Sequence, residues 1–182
     1  MNAASLTITP LPISGAYLIV PVRHTDHRGY FFRTYCEREF ASAGLETNWV
    51  QCNVSYNSKA GTLRGLHFQC EPNSEIKLVR CTRGKVFDVI VDIRHDSPTY
   101  RQWHAVTLSE NNCHSIYIPA GCAHGFQTLH DGTELFYQMS SYYVAELARG
   151  IRWDDPTINI AWPQTEQRII HDRDLNWPEV DE

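Results

Sequence analysis

Val86-Phe87-Asp88-Val89-Ile90-Val91-Asp92-Ile93 carries an apolar side chain at every position except its two aspartates. Successive side chains of a strand face opposite sides, so a run that is apolar at odd and even positions alike has both faces covered and lies centrally in its sheet. Working outward, Arg83–Gly84 marks a hairpin into a preceding strand at 77–82, and Ser97–Pro98 opens a loop toward a strand at 102–108. Further short apolar runs, mostly of period two, predict strands at 16–22, 30–35, 50–56, 62–68, 115–118, 125–129 and 134–142, with turns at 25–29, 119–121 and 131–132. Glu37 to Ala43, stopped by Gly44, is the one convincing helix. About ten short strands with almost no helix predict a mainly β fold, a sandwich, jelly roll or barrel. Beyond Trp153-Asp154-Asp155-Pro156 the periodicity fades, predicting an irregular C-terminal arm folded back on the rest.

The composition narrows the function. The chain has 182 residues, 42% of them hydrophobic, and a formal net charge of −5. That length fits one domain, 1–182, able to bury a core without staples. Clustered Lys and Arg are absent, which argues against nucleic acid. No apolar stretch approaches a membrane span, and the start of the chain lacks an apolar signal segment. The six cysteines form no C-x-x-C pair, and several fall inside strand-like runs, so they are expected to be free and the protein cytoplasmic.

Two motifs carry the chemistry. Pro119-Ala120-Gly121-Cys122-Ala123-His124 fits P-x-G-x-x-H, and Gly61…His67-x-Gln69…Lys77…Gly84 resembles the first cupin motif, which normally supplies two His and a Glu to a metal. Here Gln69 and Lys77 occupy ligand positions. A lysine offers only donors and repels a divalent ion, so a metal-free polar pocket in a cupin-type barrel is expected, and a metal-dependent cupin dioxygenase is disfavoured. On a regular strand Arg64 would share the face of Leu66 rather than that of His67, unless Gly65 introduces a bulge. A base (His67), a cation (Lys77), a further His (His124) and an acid (Tyr137) around one lumen suit proton abstraction beside a carbonyl, an enolate held by the cation, and reprotonation from the opposite face.

The chain resembles the dTDP-4-dehydrorhamnose 3,5-epimerases and their nucleotide-sugar relatives. The resemblance runs from Val22 to Asp174 and rests on Asp26-x-Arg28-Gly29-x-Phe31, Gln51-x-Asn53-x-Ser55, Leu63-Arg64-Gly65-Leu66-His67-Phe68-Gln69, Lys77-Leu78-Val79-Arg80-Cys81, Asp88-Val89-x-Val91-Asp92-Ile93-Arg94, Ser97-Pro98-Thr99-Tyr100, Ile118-Pro119-x-Gly121-x-Ala123-His124-Gly125-Phe126 and Tyr142-Tyr143. It implies His67 as the proton-abstracting base, Asp174 as the carboxylate holding its imidazole, Tyr137 as the proton donor and Lys77 as the cation facing the oxyanion. It further implies that His124 contacts the keto-sugar, that Arg28, Gln51, Asn53, Arg64 and Arg173 hold the nucleotide diphosphate, and that Tyr143 lies beside the base. No cofactor is implied. The N-terminal strands of such proteins cross to a second subunit, so a homodimer follows, with Arg28 and Phe31 serving the partner's pocket.

Three stretches depart from the pattern: Arg33 where an acidic residue is usual, Ala148 likewise, and Ser55-Tyr56-Asn57-Ser58 in a longer loop. All are expected at the nucleotide end, which leaves CDP- or GDP-sugars as alternatives to dTDP, inversion at C3 or C5 alone as an alternative to both, and a silent nucleotide-sugar-binding cupin as a third reading. The remaining histidines scatter without ligand spacing. Asp88 and Asp92 are expected to be buried partners of Arg80 or Arg94, and Trp153, Trp162 and Trp177 to anchor the arm by burial.

Overall fold

A computed structural model describes residues 5–180. Its strands in chain order are β1 (Leu6–Pro10), β2 (Tyr17–Pro21), β3 (His24–Asp26), β4 (Gly29–Phe31), β5 (Gln51–Asn57), β6 (Thr62–Gln69), β7 (Lys77–Arg83), β8 (Lys85–Asp92), β9 (Trp103–Ser109), β10 (Ser115–Ile118), β11 (Cys122–Thr128), β12 (Thr133–Met139), β13 (Ala148–Gly150) and β14 (Ile169–Ile170). The helices are α1 (Glu37–Ser42) and α2 (Asp172–Leu175). One sheet runs β1-β2-β10-β7-β12-β5, the other β13-β6-β11-β8-β9 with β14 beside β6. The expected β architecture is therefore present as two sheets facing one another, antiparallel throughout except for the β14–β6 pair, the cupin-type jelly roll.

The central run behaves as its composition requires. On β8, Val86 and Ile90 pack between the sheets with Val79, Leu108, Ile116, Phe126 and Leu135. Val89 and Val91 point outward, where Leu63, Leu66, Ile158 and Trp162 cover them. The C-terminal arm forms that outer cover and is anchored by Trp162, which is buried and donates its indole N–H to the Trp153 carbonyl at 2.7 Å, whereas Trp153 and Trp177 are only half-buried. A third cluster, around Phe40 of α1 with Ile19, Leu78 and Tyr117, covers the outside of the first sheet.

One expectation on the N-terminal side changes. The strand expected at 30–35 shrinks to Gly29–Phe31, which pairs only with His24–Asp26. Phe32 then turns back to stack on Tyr30 and to lie under the Arg80 guanidinium. The structure adds β1, an edge strand held by β2 alone, which the sequence reading missed although Leu6-Thr7-Ile8-Thr9 alternates apolar and polar residues.

Candidate active site

The bulge at Gly65 decides which side chains meet. Pairing between β6 and β11 follows His124↔His67 and then shifts to Phe126↔Arg64. Gly65 takes φ +127°, and a Cβ there would come within 2.5 Å of the Gly125 Cα. The two backbones approach this closely only because both residues are glycine. Leu63 and Leu66 consequently both point outward, while Arg64 and His67 both line the inter-sheet cavity.

His67 is held from the C-terminal arm. β14 pairs in parallel with Thr62 and Leu63, carrying α2 alongside β6. His171 caps α2 by accepting the Arg173 N–H at 3.1 Å. The buried Asp174 carboxylate then reaches His67 Nε2 at 2.7 Å and accepts the Gly65 N–H and the Trp177 indole N–H. Burial pushes the Asp174 carboxyl up, but those hydrogen bonds, with His67 foremost, outweigh it and leave it below the usual carboxylate range. An ionised Asp174 fixes the imidazole and stabilises its protonated form, the role a carboxylate has in a Ser-His-Asp triad. Trp177 packs edge-on to the His67 ring with centroids 6.4 Å apart.

His67 borders two contiguous cavities. The first, about 310 Å³, is lined among others by Gln51, Asn53, Lys77, Tyr137, Tyr143 and Arg173. The second, about 210 Å³ and deeper between the sheets, shares His67, Lys77, Tyr137 and Arg173 and adds Arg64 and His124. Base, phenol and ammonium therefore line the same space. The cavities lie along a broader groove of about 690 Å³ formed by Arg64, His67 and the segment Ile169–Asp174.

The remaining polar groups have defined partners. Lys77 Nζ donates to the His67 carbonyl at 3.2 Å and pairs with Glu75 at 2.9 Å. Burial raises the Tyr137 hydroxyl above its ordinary value, opposed by the positive charge of Arg64. Arg64 donates to Asn57 Oδ1 and the Tyr56 carbonyl. Gln51 accepts the Tyr143 N–H, and Gln69, in place of a metal ligand, ties the 142–144 loop to the body of the protein.

Several expectations need correction. Asp88 does not partner Arg80: wholly buried on β8, it faces inward and hydrogen-bonds His124 Nε2 through both oxygens at 3.0 Å. Arg80 is on the outer face, over Phe32. Asp92 does hold Arg94, with Ser97 and Thr99 also donating. Arg28 and Phe31, expected to serve a partner's pocket, are exposed on the detached hairpin and line neither cavity nor the groove; Arg28 pairs with Asp26. Arg33 is drawn away from the cavities to Ser5 and Glu39. Of the departures, Ala148 lines the outer cavity and Ser55 the inner one.

Comparison with known proteins now decides the family. The profile of the dTDP-4-dehydrorhamnose 3,5-epimerases matches residues 10–182. The chain belongs to this family. The dTDP-4-dehydrorhamnose 3,5-epimerase of Sinorhizobium fredii is 44% identical over 170 residues, covering 93% of this chain and 87% of the relative. The crystal structure of the Bacillus anthracis epimerase with TDP and PPi bound has a TM-score of 0.92 and 38% identity, covering 96% of this chain and 99% of that one. The Legionella pneumophila enzyme in complex with dTDP-4-keto-L-rhamnose has a TM-score of 0.92 and 36% identity, covering 97% and 93%.

Around this candidate site, three contributors escaped the sequence reading. Trp177, just past the C-cap of α2, touches both members of the His67–Asp174 pair; its place three residues after Asp174 is the signal the sequence offered. Glu75 lies two residues before Lys77, in the segment leading into β7, and pairs with its ammonium at 2.9 Å. Arg149 lines the outer cavity, its guanidinium donating to the Glu146 and Ala148 carbonyls.

Proposed function

We propose that the chain inverts C3 and C5 of a nucleotide-linked 4-keto-6-deoxyhexose, dTDP-4-dehydro-6-deoxy-D-glucose first among candidates, in deoxysugar biosynthesis. It is an isomerase of the carbohydrate-epimerase class. The observation that carries this reading is the His67–Asp174 pair on one wall of a cleft that Tyr137 and Lys77 also line. The 4-keto group acidifies the hydrogens at C3 and C5. His67 takes one, with Asp174 stabilising the imidazolium. The Lys77 ammonium faces the oxygen on which charge develops; removing one such donor typically costs about 10²–10³ in turnover. Tyr137 returns a proton from the opposite side. Arg64 and Arg173, both guanidinium forks able to hold phosphate oxygens in pairs, take the diphosphate along the groove, with Gln51, Asn53 and Tyr143 toward the nucleoside and His124 toward the sugar.

We further propose one cupin domain acting as a homodimer. Tyr30, Phe31, Val54 and Tyr56 are exposed apolar side chains on the detached hairpin and the outer face of β5, and a hairpin that lines neither the His67 cavities nor their groove is suited to a partner's. No helix among the described residues is long and apolar enough to cross a membrane, and the six cysteines are free, consistent with a cytoplasmic enzyme.

Incubation with dTDP-, CDP- and GDP-4-keto-6-deoxyhexoses in heavy water tests the reading. Deuterium entering at both C3 and C5 of the dTDP sugar, with inverted product, is expected. Binding without wash-in establishes a silent binder, wash-in at one carbon a single-site epimerase, and preference for another nucleotide overturns the dTDP assignment.

A further inference from the structure

Glu75 is a buried carboxylate with one oxygen left over. Its side chain lines the outer cavity and is 3% exposed in its ion pair with Lys77. Oε1 accepts from the Lys77 ammonium at 2.9 Å, whereas Oε2, equally buried, has no partner among the described residues. A buried acceptor without a donor is uncommon in native structures and destabilising, and it marks a position where a ligand donor fits. Lys77 is equally constrained. Two of its three donors go to Glu75 and to the His67 carbonyl, which leaves one N–H for the cavity.

We infer that Glu75 Oε2 accepts the hydroxyl at C3 of the bound sugar, making Glu75 a substrate-specificity residue. The inference rests on the proposed 4-keto-6-deoxyhexose. If the free N–H of Lys77 meets the C4 oxygen, the carboxylate beside it lies one substituent away along the ring. The neighbours of C4 are C3, which bears a hydroxyl, and C5, which bears a methyl. Only the hydroxyl can donate to a carboxylate, so the Glu75–Lys77 pair reads a hydroxyl-ketone edge: the ammonium on the ketone, the carboxylate on the alcohol. The same pairing sets which side of the ring faces His67.

A ligand-and-variant cycle tests this. Deuterium wash-in at C5 is measured in heavy water for the dTDP-4-keto-6-deoxyhexose and for its 3-deoxy analogue, with the wild-type enzyme and with Glu75→Gln. The amide keeps an acceptor for Lys77 but replaces Oε2 by a donor, and any general effect on Lys77 cancels in the ratio of the two substrates. The wild type is expected to favour the 3-hydroxy sugar in kcat/KM by about 10- to 100-fold, the range of a hydrogen bond to a charged group. In Glu75→Gln that preference should fall by roughly tenfold, as a charged acceptor gives way to a neutral group. Glu75→Asp, whose carboxylate is drawn back by one methylene, provides the same comparison should the amide variant fail to fold. Equal preference in wild type and variant overturns the inference while leaving the functional reading intact. Absence of wash-in from the 3-hydroxy sugar with the wild type overturns both.

Discussion

At the scale of single residues the site is a set of groups each held by another. His67 is aimed by Asp174, Asp174 is kept ionised by three donors, and Lys77 is tethered by Glu75 and a backbone carbonyl. His67→Asn and Tyr137→Phe are each expected to lower kcat by about 10²–10⁴, the usual range for a lost general base or acid, with circular dichroism unchanged. Asp92 makes a prediction about stability. Burial alone would raise its carboxyl, but donors from Arg94, Ser97 and Thr99 reverse that and hold it at about 2 against an ordinary 3.8. A depressed folded-state value contributes stability that is complete above the ordinary value and lost as pH falls toward the folded one. The contribution is roughly 2 kcal/mol. Urea titrations from pH 5 downward should therefore show stability draining between pH 4 and 2, and Asp92→Asn should be less stable at pH 5 with a flatter acid limb. Asp174, shifted in the same direction, adds to the loss on the same side.

At the scale of elements, close backbone contacts position the chemistry. β6 and β11 touch at Gly65 and Gly125, and β13 leaves room at Gly150 for the Trp177 indole, where an added Cβ would fall within 2.5 Å of the ring. Gly150→Ala must push Trp177 aside, and with it a donor to Asp174. Overpacking of this kind costs about 1–3 kcal/mol, a fall of about 2–12 °C in Tm for a chain of this size. Turnover should fall further than the stability loss explains, because the displaced indole contacts the base and its carboxylate; calorimetry and initial rates on the same preparation separate the two effects. The bulge at Gly65 was foreseeable from a glycine inside a strand pattern. That such a bulge would bring Arg64 to the side of His67 followed as well; where the register shifts, between His124 and Phe126 of β11, did not.

At the scale of the molecule, the detached hairpin at residues 24–31 and the exposed apolar face of β5 fit a dimer in which each chain completes the other's site. Complementation measures this. His67→Asn and Arg28→Ala are each expected to be nearly inactive alone. In a mixed dimer, one of the two sites combines the intact barrel with the intact hairpin. A re-equilibrated equimolar mixture, half of it mixed dimers, should recover about a quarter of wild-type activity. Light scattering should report twice the chain mass, and Tyr56→Asp, placing a charge on the apolar face, should shift it toward the monomer.

What the sequence settled by itself was local and periodic. Period-two runs, hairpin dipeptides and one run apolar on both faces specify an all-β sandwich, because a strand must bury each apolar face against something. The two motif histidines, the lysine at a cupin ligand position and the near-terminal aspartate were legible as chemistry, through their resemblance to a known family. The tertiary structure alone decided distances and partners: that Asp174 reaches His67 across more than a hundred residues, that Asp88 serves His124 rather than Arg80, and that Glu75 keeps an unpaired oxygen beside Lys77. Such pairings join residues far apart along the chain, or depend on the register between strands and on which groups are cut off from water. None of these leaves a periodic trace in the residues themselves.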